Sequence, residues 1–385
     1  MQSSPTTGSA LLTNTEKLAG ARRLVIKIGS ALFVDQTTGA MNRAWLEGVC
    51  ADVADLKREG KEVVVVSSGA VALGIGELKL DPRRARLEDS QAAAAAGQIV
   101  LAHAYQDVLR GFGITAAQVL LTIDDSEDRK RYLNASKTLL SLLGYGAVPV
   151  VNENDTVATQ ELRYGDNDRL AARVAQMVSA DCLVLLSDVD GLYTADPRID
   201  ANARYIDEVT ELKREHWDMA GGPGSSHGSG GMRTKIDAAR IAVGAGCRMG
   251  IASGRPMRPI SVLRAGGKAT WFLPSATPGA ARKQWIAGTL KPKGSVQVDQ
   301  GAERALASGR SLLPAGVKAV EGSFERGDAV RVVASDGREL ARGLIAYAAD
   351  EARQIAGRKS HDIAEVLGYR GRDEIIHRDD LVLLK

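Results

Sequence analysis

The sequence predicts an α/β protein, a parallel sheet covered by helices on both faces, followed by a smaller, mostly β second domain. Three observations predict it. Apolar runs of strand length alternate with amphipathic helical stretches, the order of parallel βαβ units. Runs such as residues 63–66 are unbroken rather than alternating, as befits strands buried on both faces. After about residue 272, breaker-rich segments appear and the pieces shorten.

The elements follow in order. Residues 24–30, Leu-Val-Ile-Lys-Ile-Gly-Ser, read as a buried strand closed by a glycine turn. A lysine inside such a strand costs desolvation unless something anionic meets it, so Lys27 is a site candidate; the plainer reading is a strand-end lysine that reaches solvent. A helix over 43–58 carries Leu46, Val49, Val53 and Leu56 on one face, with Gly60 as its stop. It leads into the strand 63–66, which ends in Ser67-Ser68-Gly69-Ala70. An Ala-rich helix (89–109) precedes a strand at 116–121, and a helix at 131–143 precedes the strand 147–151. That strand empties into Asn152-Glu153-Asn154-Asp155-Thr156. A helix beginning near Asp168 has Leu170, Val174, Met177 and Val178 as its stripe. The run 182–186 makes another strand, ending at Ser187-Asp188. A glycine-serine loop (224–231) then runs into a helix with Met232, Ile236, Ala239 and Val243 on one face and Gly246 as its stop.

Beyond these, residues 281–293 read as a linker between 273–279 and 290–294, both rich in Pro and Gly. Short strands at 296–298 and 329–333, a helix at 302–308 and a hairpin turn at Ser335-Asp-Gly-Arg338 make up the second domain. The first twenty residues are Ser/Thr-rich and read as a disordered tail rather than a signal peptide.

Composition narrows the function. At 385 residues the chain suits two domains, and its apolar (44 %) and charged (25 %) contents are those of a globular protein. A net charge of +3 points to no particular partner. Three distant cysteines, Cys50, Cys182 and Cys247, read as buried thiols in a reducing, cytoplasmic setting. The five histidines never pair with cysteines at metal-ligand spacing, which argues against zinc. No apolar run reaches the ~18 residues of a membrane span.

Small and polar residues gather at the carboxyl ends of four strands, where open parallel sheets bind ligands. Turn chemistry favours the same residues at any one of them. The glycine loop before Lys235 adds free backbone N–H groups, a helix dipole and a cation, the makings of a polyphosphate cradle. Neither G-x-x-x-x-G-K-[ST] nor G-x-G-x-x-G occurs, so a nucleotide site must be of another design. Spacing alone therefore argues for a phosphotransferase outside the P-loop class.

Six motifs, in order and spacing, resemble those of the glutamate 5-kinases of the amino acid kinase family: Val25-Ile-Lys-Ile-Gly-Ser30, Val66-Ser-Ser-Gly-Ala70, Val150-Val-Asn-Glu-Asn-Asp155, Gly165-Asp-Asn-Asp168, Gly191-Leu-Tyr-Thr-Ala-Asp-Pro197 and Gly230-Gly-Met-Arg-Thr-Lys235. The C-terminal motifs Ser311-Leu-Leu-Pro-Ala-Gly316, Arg326-Gly-Asp328 and Ile376-His-Arg-Asp379 resemble a PUA domain. The resemblance implies a three-layer αβα sandwich at 21–280, a PUA domain at 294–385, and ATP-dependent phosphorylation of the γ-carboxylate of L-glutamate, the first step of proline synthesis. It implies catalytic Lys27, Asp168 and Lys235, with Asp168 holding both lysines. It assigns glutamate to Lys27, Ser68, Asp155 and Asn167, and the nucleotide to Ser187, Asp188 and the run Ser229, Gly230, Gly231, Met232, Arg233, Thr234 and Lys235. Asp166 lies beside them, with helix N-capping as its plainer role. Mg²⁺ is implied with unassigned ligands, as are inhibition by proline at the glutamate site and a homodimer or homotetramer. Ser67 stands where the family often has Thr.

Other readings are another amino acid kinase, acting on acetylglutamate, aspartate or a nucleoside monophosphate, a kinase-like binding module without activity, and an RNA-binding protein acting through the PUA domain. Residues 294–385 hold 14 Lys and Arg against 15 Asp and Glu, which is not the basic footprint of an RNA-binding surface.

Overall fold

Lys27 lies in the middle of the main sheet because its strand does. The computed structural model describes residues 13–34, 39–82, 84–157, 167–220, 231–288 and 291–384. It divides into two units, one from residues up to 126 together with 135–275, the other from 127–134 together with 276 onward. In the first, the strands are β1 (Arg23–Ile28), β2 (Glu62–Ser67), β3 (Ala116–Leu121), β4 (Val148–Glu153), β5 (Cys182–Ser187), β6 (Leu192–Tyr193), β7 (Tyr205–Ile206), β8 (Glu208–Val209), β9 (Arg248–Ser253) and β10 (Ala269–Phe272). Eight of them form one sheet in the order β3-β4-β2-β1-β5-β9-β10-β8. The run from β3 to β9 is parallel throughout, and β10 pairs antiparallel to β9. β6 and β7 form a separate antiparallel ribbon.

β1, β2 and β5 are the most apolar strands and are buried almost residue for residue. Helices on the sheet are amphipathic or small-faced. Arg43–Arg58 buries Leu46, Val49, Val53 and Leu56, the face its spacing predicts. Cys50, Cys182 and Cys247 are buried free thiols, and burial pushes Cys50 and Cys182 up to about 12.

Two helices meet unusually closely behind the end of β2. A Cβ on Gly97, in the helix Leu87–Gly111, would lie 1.9 Å from the carbonyl oxygen of Ala70. A Cβ on Gly74, in the helix Ala70–Glu77, would lie 1.7 Å from that of Ala93. Backbone touches backbone there, so neither helix can yield cheaply. Gly97→Ala is expected to destabilise the protein by about 3 kcal/mol, the upper end of ordinary overpacking. An unchanged urea midpoint would contradict this account of the contact.

The amino-terminal expectation needs correcting. Residues 13–20 are not a disordered tail: Asn14–Ala19 is a helix opened by a Thr13/Glu16 capping box, and its Leu18 is buried in the main core. Lys61 Nζ donates to the carbonyls of Leu18, Ala19 and Ala21 at 3.2, 2.8 and 2.8 Å, placing a cation at the helix's C-terminal end. Ser/Thr richness masked a cap and one core residue.

The second unit holds a five-stranded sheet built from β11 (Gly294–Val298), β12 (Val317–Gly322), β13 (Ala329–Val333), β14 (Glu339–Leu344) and β15 (Leu381–Leu383), in the order β12-β11-β13-β14-β15. Only β11 and β13 run parallel. Its core gathers Val296, Val330, Val332, Tyr347, Ile355 and Ile376. Part of the span expected as linker is ordered, since Pro278–Gly288 is a helix whose Ile286 packs on Ala329 and Leu344. Among the described residues no helix is long and apolar enough to cross a membrane.

Candidate active site

Three charged side chains from three distant parts of the chain meet at the carboxyl end of the central strands. β1 supplies Lys27, between Val66 of β2 and Leu185 of β5. Asp168 is the second residue of the helix Asn167–Met177, where the dipole favours an anion. Lys235 comes from the first turn of the helix Met232–Gly244. Lys27 Nζ lies 2.6 Å from one carboxylate oxygen of Asp168, and Lys235 Nζ lies 3.0 Å from the other. Asp168 is fully buried, and both lysines are nearly so. Burial alone would push the Asp168 carboxyl up. Lys27 and then Lys235 outweigh that and hold it below the usual carboxylate range. Two ammonium groups on one carboxylate leave a net positive cluster with little water, an arrangement suited to an incoming anion.

Thr234 joins this cluster. Its Oγ1 is 3.1 Å from Asp168 Oδ2 and 2.8 Å from the Gly231 carbonyl. Gly231 is the extended residue before the helix Met232–Gly244 and has no side chain with which to cap it. One of the helix's first-turn N–H groups, that of Thr234, turns back to the Gly231 carbonyl at 3.1 Å, and the positive end of the helix dipole lies among these groups. Met232 and Arg233 stand beside them, partly buried and exposed respectively. Ser229 and Gly230, like Gly165 and Asp166, lie outside the described residues.

A second, neutral polar group adjoins the first, since Asn167 precedes Asp168. Asn167 Nδ2 donates to Ser68 Oγ at 2.7 Å and is 3.2 Å from Asn152 Oδ1. Asn152 Nδ2 donates to Gln98 Oε1 at 2.8 Å, and Asn152 Oδ1 accepts the Glu153 backbone N–H at 2.9 Å. Behind them Ser67 Oγ and Tyr105 Oη sit 3.0 Å apart. Asn167 Oδ1 is buried with no hydrogen-bond partner among the described residues. Leaving such an acceptor unmet costs about 1–3 kcal/mol, which a ligand's donor would recover.

Asp155 sits in the turn after β4, partly buried. Desolvation raises its carboxyl from 3.8 to about 6. A carboxyl raised by folding costs nothing below its unfolded value; the penalty grows between the two and is complete above the folded one. Asp155→Asn is therefore expected to stabilise the ligand-free protein by roughly 1–3 kcal/mol at pH about 8, and to give no gain below pH about 4. Thermal melts across that range test it, and a gain independent of pH would contradict the burial argument. At the end of β5, Ser187 is buried and donates to Asp188 at 3.0 Å, while Asp188 is exposed.

Sequence reasoning missed Gln98 and the part played by Asn152. Asn152 stood inside a quoted motif without a role. Gln98 ends a run of alanines and glycine, where the only signal was a lone polar residue on a helix that is otherwise small-faced.

A model of the amino acid kinase family matches residues 22–253, and a PUA domain model matches 294–367. The chain is 63 % identical over 366 residues to the glutamate 5-kinase of Paramagnetospirillum magneticum, covering 95 % of this chain and 99 % of that one. It is 59 % identical over 366 residues to glutamate 5-kinase 1 of Rhizobium meliloti, covering 95 % and 93 %. With the glutamate 5-kinase of Rhodospirillum rubrum it shares 60 % over 359 residues, covering 93 % and 96 %.

Proposed function

The chain belongs to the glutamate 5-kinases of the amino acid kinase family, and from that we propose that it transfers the γ-phosphoryl group of ATP to the γ-carboxylate of L-glutamate. The observation that carries the reading is the Lys27–Asp168–Lys235 bridge. A carboxylate oxygen attacks the γ-phosphorus, the bond to the bridging oxygen breaks, and ADP leaves with that electron pair. The acceptor is already ionised at neutral pH, so no general base is required. The difficulty is to bring a carboxylate and a triphosphate together and to stabilise charge as it moves. Two buried cations held apart by one carboxylate meet that need.

In this reading Lys27 serves the attacking carboxylate and Lys235 the departing phosphate, while Asp168 keeps both side chains aimed. Ser68, Asn167 and Asp155 bind glutamate, with the Asp155 carboxylate and Asn167 Oδ1 facing its ammonium group. Ser187, Asp188 and the first turn of the helix Met232–Gly244 receive the nucleotide, Thr234 joining its floor. Among the described residues no group of three or more His, Cys, Asp or Glu could hold a metal. Mg²⁺ would then enter on the phosphate oxygens, where it neutralises charge. The reading extends to proline as an inhibitor at the glutamate site, to the first step of proline synthesis, to a homo-oligomer and to the cytoplasm.

The test is ADP release from MgATP with L-glutamate, beside aspartate, N-acetylglutamate and UMP, with and without proline. Glutamate-dependent turnover suppressed by proline is expected. Turnover with another acceptor alone would keep the chemistry and overturn the substrate.

A further inference from the structure

One backbone N–H fixes the polarity of a chain of side-chain amides. An amide nitrogen and oxygen look alike, so which way each points must be argued from its neighbours. The Glu153 N–H can only donate, and it meets Asn152, so the atom there is Oδ1. Asn152 must then present Nδ2 to Gln98, and Gln98 must answer with its carbonyl Oε1, 2.8 Å away. With Asn152 Oδ1 as the acceptor, the atom of Asn167 facing it, 3.2 Å off, must be Nδ2. The same Nδ2 donates to Ser68 Oγ at 2.7 Å. Two consequences reach the site. Asn167 Oδ1 is turned away from this network and has no donor among the described residues, and the Ser68 hydroxyl, accepting from Asn167, keeps its own proton to donate.

Gln98 and Asn152 are both buried, at 9 % and 2 % exposure, so water competes little for these bonds. Gln98 follows Gly97, whose backbone contact with Ala70 holds this helix against the segment carrying Ser68.

We propose that Gln98 is a positioning residue for the amino acid substrate: acting through Asn152, it locks the Asn167 amide with its oxygen toward the substrate's α-ammonium group. Without Gln98 the Glu153 N–H and the Ser67 carbonyl, 3.3 Å from Asn167 Nδ2, still favour the same orientation, but the buried Asn152 Nδ2 loses its acceptor. An Asn152 that turns to recover one presents Nδ2 to Asn167 and draws the Asn167 oxygen away from the ammonium group. The inference rests on the glutamate-kinase reading above and adds a residue to it.

The experiment compares the unaltered protein with Gln98→Met, which keeps the bulk and removes the acceptor, and Gln98→Glu, which restores an acceptor. In Gln98→Met, KM for L-glutamate should rise about tenfold, the loss of one well-placed bond. Its kcat and its KM for ATP should stay within about twofold. Glutarate, the dicarboxylate without the amino group, should inhibit Gln98→Met and the unaltered protein equally, because the lost contact is to nitrogen. Gln98→Glu should return KM for glutamate to near its original value. A merely structural role would move the glutarate inhibition constant and the melting temperature together with KM.

An unchanged glutamate KM in Gln98→Met, or a glutarate constant that shifts in parallel, would overturn the proposal and leave the kinase reading standing. Should Gln98→Met fail to fold, a raised glutamate KM in a normally melting Gln98→Glu would overturn it equally. No glutamate turnover in the unaltered protein would overturn both.

Discussion

Asp168→Asn is expected to cost stability and turnover together. Asp168 is fully buried and is the shared counter-charge of two lysines that are themselves almost buried. Asparagine keeps the shape and removes the charge, leaving two ammonium groups facing each other. Removing one partner from a buried ion pair typically costs about 3–5 kcal/mol, because the remaining charge is left uncompensated. The sign with pH follows from the depressed carboxyl. Stability from such a group is complete above its unfolded value and is lost as pH falls through the folded one. The gap between variant and unaltered protein should therefore be full at neutral pH and narrow below about pH 4. Urea unfolding at several pH values checks this, and equal midpoints at neutral pH would sink it. Turnover should fall below detection even where the variant is folded, since neither lysine keeps its aim.

Lys235→Met should separate the two effects that Asp168→Asn combines. Methionine fills most of the stem's volume, and Asp168 keeps Lys27 as its partner at 2.6 Å. Stability should change by no more than about 1 kcal/mol, as for volume-conserving swaps. Turnover should not survive as well. Loss of one preorganised charge-stabilising group typically lowers kcat by about 10² to 10³. Lys235→Arg should recover little, because a planar guanidinium cannot occupy the position of a compact ammonium 3.0 Å from the same oxygen. ADP release at saturating glutamate and ATP decides the matter. Near-normal turnover in a folded Lys235→Met would remove Lys235 from the proposed role.

Much of this was legible in the chain and some was not, for physical reasons. Strands such as β2 and β5 announce themselves, because a parallel strand between two helical layers must be apolar throughout. β8 is two residues long and pairs only at the sheet's edge, so no pattern could carry it. The helix Asn14–Ala19 was hidden because one buried leucine, a Lys17–Glu208 ion pair and the bonds of Asn14 to Gly267 and Trp271 dock it, and none of these makes an apolar pattern. Within the site, a lysine in an apolar strand was visible as a cost in search of an anion. Its meeting with Asp168 and Lys235 was not, since sequence separation of 141 and 208 residues leaves no local trace; that expectation came from the family's motifs. Gln98 was illegible because a buried amide carries no charge and fits a helix as readily as its neighbours do.

The position of β1 has a further consequence, for synthesis. It is the earliest strand of the main sheet yet lies between β2 and β5, so one of its edges has no partner until residues 182–187 have left the ribosome. A nascent chain ending after β4 can pair β1, β2, β3 and β4, but it presents an open, apolar strand edge of the kind that invites association between chains. Lys27, buried at the end of that edge, has no counter-ion until Asp168 emerges, and Lys235 follows later still. Counter-charge and edge closure thus arrive in close succession, but only after β1 to β4 have all been made, which makes this enzyme's unfinished chains good clients for holding chaperones.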